Sequence, residues 1–368
     1  MEASYAMPQS IIKEVPLAPL TTLGIGGNAE YFATITDLSE LEEATAWARA
    51  HDLAVTVLGG GSNALIADGG IQGLILHLCM RGISYTEDAE GSMLAQVAAG
   101  ETWDAFVEDS VLRGYWGLEN LSGIPGKVGA APVQNINAYG VSVGDLITNV
   151  NVYERVEGKQ LTLSHDACRF AYRDSLFKTK GGSEHIITGV TFRLTTERSA
   201  HTAYRSSSQS IERLLTEAGI ETPTSKDIRN TVLGVRRNIG MLPGMYRSAG
   251  SFFKNTIVSK EDFNAISARV AAEHAEKDAL FAPWHWEMPD GNIKVSTAFL
   301  MECTPYNKTA FKDKTFNGTV GISPLHTLSL VNAGGATAED VRAFVALITE
   351  TIEKDFGVRI ETEVCFLS

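Results

Sequence analysis

The chain has 368 residues, 44% hydrophobic and 20% charged, the profile of an ordinary globular protein too long for one small core, so two or three domains are expected. A net charge of −13 with a pI near 5.1 argues against nucleic acid or an anionic membrane surface as partner, and any anionic substrate then needs a locally basic cleft. No stretch reaches the ~20 consecutive apolar residues that span a bilayer, and the start lacks a secretion pattern, so a cytoplasmic protein without membrane insertion is expected.

Read in chain order, the front of the molecule is β-α-β. Ser39 and Glu42 offer a capping box, and Leu41, Ala44, Trp47 and Ala48 follow at helical spacing. Ala54 to Leu58 is a short buried strand that ends at Gly59-Gly60-Gly61-Ser62-Asn63, and Leu74–Leu78 and Leu94–Ala99 are further strands. Trp103, Phe106, Val107, Ser110 and Val111 form one face of a helix that stops near Gly114. The stretch Leu118–Gly144 is rich in glycine and almost without periodicity, yet it carries Leu121, Ile124, Val128, Val133 and Ile136, which argues for an ordered functional loop. Strands resume at Ile147–Tyr153, Gln160–Leu163 and Ile186–Leu194, and His165-Asp166 begins a short helix.

After about residue 200 helices are expected at Ser208–Ala218, Ile228–Ile239 and Glu261–Lys277, the last opened by Ser259 and Asp262. A final helix runs from Ala338 to Phe356, capped by Thr337 and Asp340 and stopped by Gly357. Val358–Phe366 reads as a terminal strand. Trp284-His285-Trp286 sits between Pro283 and Pro289 and reads as a packed loop. The four cysteines, Cys79, Cys168, Cys303 and Cys365, are too scattered for a zinc knuckle or a redox dithiol and read as buried thiols; no metal site is expected. The fold class is α+β, divided into an N-terminal extension (1–20), a front domain of two α+β subdomains (21–200), a smaller α+β domain (201–357) and the terminal strand (358–368).

Gly59-Gly60-Gly61-Ser62-Asn63 follows a strand and offers consecutive backbone N–H groups as an anion nest. It is neither a Rossmann fingerprint nor a P-loop, and a glycine run alone is more often a tight turn. A second glycine-rich surface, together with the neutral donors Ser62, Asn63, Gln134, Asn135 and Asn137, points to an extended phosphate-bearing cofactor.

These segments, taken together, resemble the UDP-N-acetylenolpyruvoylglucosamine reductase family, in the vanillyl-alcohol-oxidase-type FAD-binding superfamily. The resemblance runs from TTLGIGG (Thr21–Gly27) through LGGGSN (Leu58–Asn63), GLENLSGIPGKVGAAPVQNINAYG (Gly117–Gly140), CRFAYRDSLFK (Cys168–Lys178) and AGSFFKN (Ala249–Asn255) to ETEVCF (Glu361–Phe366). It implies non-covalent FAD, NADPH as co-substrate, a UDP-sugar substrate, and a role in making peptidoglycan precursor; a monomer is expected. FAD would be held by Gly59, Gly60, Gly61, Ser62, Asn63, Ser122, Ile124, Pro125, Gly126, Gly129, Ala130, Gln134, Asn135 and Gly140. Arg173, Ser251 and Glu363 carry over as catalytic residues. Substrate contacts are expected from Tyr172, Tyr204, Lys254, Asn255, Arg247 and Lys294. Met241 stands where the family commonly has a lysine before Leu-Pro, so Arg236, Arg237 or Arg247 would have to meet the nucleotide phosphates instead.

The implied chemistry reduces an enolpyruvyl ether. Charge develops at the carbon bearing the carboxylate and needs a cation and a proton. Arg173 can fork onto that carboxylate, Ser251 can donate the proton, and Glu363 can hold the carboxylate in protonated form or serve as a proton source. Taken singly, Arg173-Asp174 reads as a surface ion pair, Ser251 as a turn residue and Glu363 as a solvated strand position; the motifs around them reverse those readings. An oxidase of the same superfamily and a non-catalytic UDP-sugar sensor are the rival readings. The expected FAD loops contain no His or Cys tether, against the first, and a sensor has no use for a proton donor.

Overall fold

The computed structural model describes residues 7–202 and 210–368. The front half holds two sheets. The first has the order Ile11–Pro16, Asn28–Ile35, Ile71–Leu78, Val55–Leu58, with an antiparallel first pair and parallel pairs after it. Helix Leu38–Ala50 makes the crossover between Asn28–Ile35 and Val55–Leu58 and buries Leu41, Ala44, Trp47 and Ala48, the face that the spacing predicts. The second sheet is antiparallel, in the order Lys159–Ser164, Ile147–Glu154, His185–Leu194, Met93–Ala98, Ile83–Glu87. Helix Trp103–Leu112 buries all five residues of its predicted face against this region. One core, from Ile11 to Leu194, joins both sheets.

A second core gathers residues from Ala249 to Val364 and takes in Leu23, Ile25 and Leu65 from the front half. Its backbone is helix Ala338–Phe356, where Thr337 and Asp340 form the expected capping box and Gly357 closes the helix at φ 71°. Asp68 reaches across from the front half and accepts from the amides of Ala338 (2.7 Å) and Glu339 (3.0 Å), which sets a carboxylate at a helix N-terminus. Helices Ile211–Glu217 and Ser225–Asn238 make a smaller cluster with Trp116 and Tyr139 of the front half. The chain then returns, and Cys365–Leu367 pairs in parallel with Ala64–Ile66, directly after the first glycine run.

Several expectations need correction. Helix Leu38–Ala50 is capped by Asp37, whose side chain accepts from the Glu40 amide, and not by Ser39. The helix expected at Glu261–Lys277 is two, Lys260–Glu273 and Ala275–Phe281, broken at His274. Only Cys365–Leu367 of the expected terminal strand is a strand, because the residues before it bond one at a time to the 252–254 segment: Lys254 N to Glu361 O at 3.0 Å, and Glu363 N to Phe252 O at 2.8 Å. Within the stretch read as an extension, Ile11–Pro16 is a sheet strand and Leu17 is fully buried. Ser208 and Tyr204 lie outside the described residues. Among the described residues no helix is long and apolar enough to cross a membrane, and no metal-ligating cluster of three or more His, Cys, Asp or Glu occurs.

Candidate active site and cofactor cleft

Two glycine-bearing loops and the end of the chain converge on one cavity of about 400 Å³. Its first wall is made of the 57–64 and 124–138 segments, so Gly59, Gly60, Gly61, Ser62 and Asn63 face Ile124, Pro125, Ala130 and Gln134. The glycines let the loops touch. A Cβ on Gly60 would lie 2.8 Å from the Gly126 Cα, and one on Gly126 would lie 3.0 Å from Ser62 Oγ. Gly61 takes φ 57°, and a Cβ there would strike the Leu20 carbonyl. The result is a wall of peptide groups and neutral amide and hydroxyl donors. That donor set fits an extended cofactor bearing phosphates and a flavin ring; Cys365, expected as a buried thiol, is instead exposed and lines the same cavity.

Asn63 stitches this wall to the end of the chain. Its Nδ2 donates to Gln134 Oε1 at 2.9 Å and to the Glu363 carbonyl at 3.1 Å, while its own carbonyl accepts from the Cys365 amide at 3.0 Å. Glu363 is thereby fixed at the rim where the loops meet.

The second wall is made of side chains. Ala171 and Asp174 exchange backbone hydrogen bonds (3.0 and 3.2 Å), and at the tip of this turn Arg173 takes φ 53°, a left-handed conformation that costs a non-glycine residue roughly 1 kcal/mol. Its Nε lies 3.1 Å from Glu363 Oε1. The contact lacks hydrogen-bond alignment, and among the described residues this buried N–H has no acceptor; an orphan donor of that kind on a cavity wall calls for a ligand acceptor. Burial pushes the Glu363 carboxyl above the ordinary range, opposed by the charges of Arg173, Lys254 and Lys178. Ser251 lines the same cavity. It follows Gly250 (φ 78°) in a segment held on both sides: Phe252 N donates to Leu328 O and Phe252 O accepts from Glu363 N, each at 2.8 Å.

The other predicted site residues are placed as follows. Asn135 is buried, accepting from the Gly144 amide (2.8 Å) and donating to the Ala171 carbonyl (3.0 Å), so it ties the 124–138 segment to the Arg173 turn. Ser122 is buried and donates to the Glu119 carbonyl at 2.6 Å. Gly129 packs where a Cβ would come within 2.6 Å of the Ala99 Cβ, and Gly140 (φ 85°) turns the hairpin of Asn137–Ala138 with Val141–Ser142. Tyr172 is exposed beside Arg173, and Lys294 Nζ lies 5.2 Å from its ring and 5.4 Å from that of Trp286. Burial pulls the Lys294 ammonium below its ordinary range. Lys254 pairs with Glu361 at 3.1 Å, and Asn255 Oδ1 accepts from the Thr297 amide at 3.2 Å. Arg247 gives its carbonyl to the Asn332 amide at 2.9 Å. None of Ser122, Asn135, Tyr172, Lys254, Asn255, Arg247 and Lys294 is among the cavity-lining residues.

Sequence reading passed over Lys127 and Lys178, both of which line the cavity. The signal was present, since each is the cation inside a motif already singled out, GIPGK and DSLFK. Arg236 also lines it; buried, it donates to the carbonyls of Gly123 (3.1 Å) and Met241 (2.9 Å) and so braces the loop at Gly123. Met241 lies on the lining as well, where a Cβ on Gly250 would be 3.6 Å from its methyl group.

The chain is a flavoprotein oxidoreductase, built from an FAD-binding domain and a C-terminal α+β domain. The FAD binding domain family matches residues 29–164, and the C-terminal domain of UDP-N-acetylenolpyruvoylglucosamine reductase matches residues 242–367. The chain is 36% identical to the UDP-N-acetylenolpyruvoylglucosamine reductase of Thermobifida fusca, over 97% of this chain and 98% of that one. It is 37% identical to the enzyme of the same name from Pseudomonas aeruginosa, over 94% and 96%. The crystal structure of the Thermus caldophilus reductase shares the fold, with a TM-score of 0.61 at 23% identity over 97% of this chain and 98% of that one. The chain belongs to the UDP-N-acetylenolpyruvoylglucosamine reductase family.

Proposed function

We propose that the protein uses NADPH to reduce UDP-N-acetylglucosamine enolpyruvate to UDP-N-acetylmuramate through bound FAD, a step in peptidoglycan precursor synthesis, and that Arg173, Ser251 and Glu363 perform the work on the enolpyruvyl group. The observation that carries the residue assignment is the orphaned, buried Nε–H of Arg173 in the same cavity as Ser251 and Glu363.

The 57–64 and 124–138 segments hold FAD, which when bound supplies the hydride to the substrate alkene. Arg173 takes the enolpyruvyl carboxylate with the donor it now directs at Glu363, and its fixed charge stabilises the enolate that develops there. Ser251 Oγ–H gives the proton to the carbon bearing the carboxylate. Glu363, whose burial keeps its proton to higher pH than an exposed glutamate, either holds the substrate carboxylate as a neutral acid or supplies the proton itself. Tyr172 and Lys294 form a cation–aromatic pair beside the Arg173 turn, which supports their expected role with the UDP-sugar. Lys254 and Asn255 are engaged in local pairing in this structure, and Arg247 stays a candidate for the phosphates.

A monomer is the expected state, and light scattering at 39.7 kDa would show it. Both substrates are small, charged and water-soluble, which supports work in the cytoplasm. The reaction is tested by anaerobic spectrophotometry: NADPH bleaches the flavin band and the enolpyruvyl sugar restores it. Restoration by oxygen but not by the sugar would make the protein an oxidase, and a colourless protein that takes up no FAD would overturn the reading.

A further inference from the structure

The turn that presents Arg173 is strained at its tip and short, so something must hold it. Three side chains do. Asn135 donates to the Ala171 carbonyl at 3.0 Å, Ser175 Oγ donates to the Val133 carbonyl at 2.6 Å, and Lys178 Nζ donates to the Arg173 carbonyl at 2.9 Å. The first two tie the turn to the cofactor loop. Lys178 is different. It projects from the short helix Leu176–Lys178 back over its own turn, its side chain is exposed, and it lines the cavity. A lysine free to extend into water instead places its ammonium against the peptide group that has the unfavourable φ. It also lies within electrostatic reach of Glu363, the partner of Arg173.

We propose that Lys178 is a positioning residue for the reduction: by bonding the Arg173 carbonyl it keeps the guanidinium aimed at the Glu363 rim. The proposal rests on the reading of Arg173 as the group that binds the enolpyruvyl carboxylate. Two features separate Lys178 from a mere surface cation. Its ammonium bonds the carbonyl of the left-handed Arg173 itself, and among the described residues it has no acidic partner within ion-pair distance. The charges that act on Glu363 come from three places: Arg173 in the turn, Lys178 behind it, and Lys254 in the segment that pairs with 361–363. Removing one of three cations raises the pH at which Glu363 ionises.

The test uses the full chain with FAD bound and the variants Lys178→Met and Lys178→Arg. In Lys178→Met, flavin content and bleaching by NADPH stay within twofold of wild type, while reoxidation by the enolpyruvyl sugar slows on the order of tenfold, the usual worth of one charge-assisted hydrogen bond. The limb of the pH profile of that half-reaction that reports Glu363 moves to higher pH. Lys178→Arg, which keeps both the charge and a donor, restores most of the rate and returns the limb to its place. Arg173→Lys, measured alongside, separates the two ideas. If it keeps normal turnover, the reading of Arg173 fails. If it is slow while Lys178→Met reoxidises normally with an unmoved limb, the Lys178 proposal alone is overturned. Loss of flavin from Lys178→Met would place the lysine in the cofactor wall and overturn it equally.

Discussion

On the side of the cavity proposed for the cofactor the chain presents backbone, and on the side proposed for the substrate it presents side chains. Gly60 and Gly126 close on each other because neither has a Cβ, so what that wall needs from its residues is the absence of atoms. Across the cavity, Arg173, Ser251 and Glu363 are held by bonds to their backbones, through the turn at 171–174 and the pairing of 252 with 363, so what that wall needs is particular atoms in particular places. The two walls should fail differently. Damage to the first is steric and costs the cofactor; damage to the second is chemical and costs one half of the reaction.

The largest effect should come from Gly60→Val or Gly126→Val. A branched Cβ at Gly60 collides with the Gly126 backbone, and Gly126 itself sits at φ 120°. Flavin should be lost altogether while far-UV circular dichroism stays close to wild type. Full flavin content in both variants would show that these loops do not hold the cofactor. On the other wall, Ser251→Ala should keep its flavin but slow the sugar half-reaction by about 10² to 10⁴, the usual worth of a positioned general acid, with Ser251→Cys recovering part of the loss. Arg173→Lys should follow, with turnover reduced on the order of 10²-fold, because a point charge cannot fork onto a carboxylate; near-normal turnover there would move Arg173 to a structural role.

Different physics made the two walls unequally legible in the sequence. Helix Ala338–Phe356 was readable to the residue, because a capping box, a periodic apolar face and a closing glycine are local facts. The same local logic mistook the cap of Leu38–Ala50, where Asp37 and Ser39 are both acceptable caps and only the fold chooses. It also overextended the terminal strand, because residues 361–363 find their partners one at a time in the distant 252–254 segment. The cofactor wall was legible only as a set of motifs, since an aperiodic loop carries no local signature of what it contacts. Asn135 shows the limit: its place in a cofactor motif was plain, but its bond to the Ala171 carbonyl joins two loops that nothing local connects.

The smallest effect concerns a support beneath the cofactor wall. Glu119 is 1% exposed, one carboxyl oxygen accepts from the Gly117 amide at 2.7 Å, and the other is buried without a partner among the described residues. Burial pushes this carboxyl up to about 7 from 4.5. A carboxyl raised on folding stabilises fully below its unfolded value, and that contribution fades as pH rises through the folded value. Glu119→Gln should therefore match wild type near pH 4 and become more stable than it above pH 7, by at most about 3 kcal/mol. Denaturant melts at the two pH values would show this; an equal difference at both would mean that the wild-type carboxyl carries no such penalty.

The division between the walls is tested most directly by stopped-flow absorbance of Ser251→Ala, with each half-reaction followed separately. The account predicts flavin bleaching by NADPH at close to the wild-type rate and reoxidation by the enolpyruvyl sugar slowed by about 10² or more. Slow bleaching with normal reoxidation would put Ser251 at the nicotinamide step and contradict the assignment of the side-chain wall to the sugar.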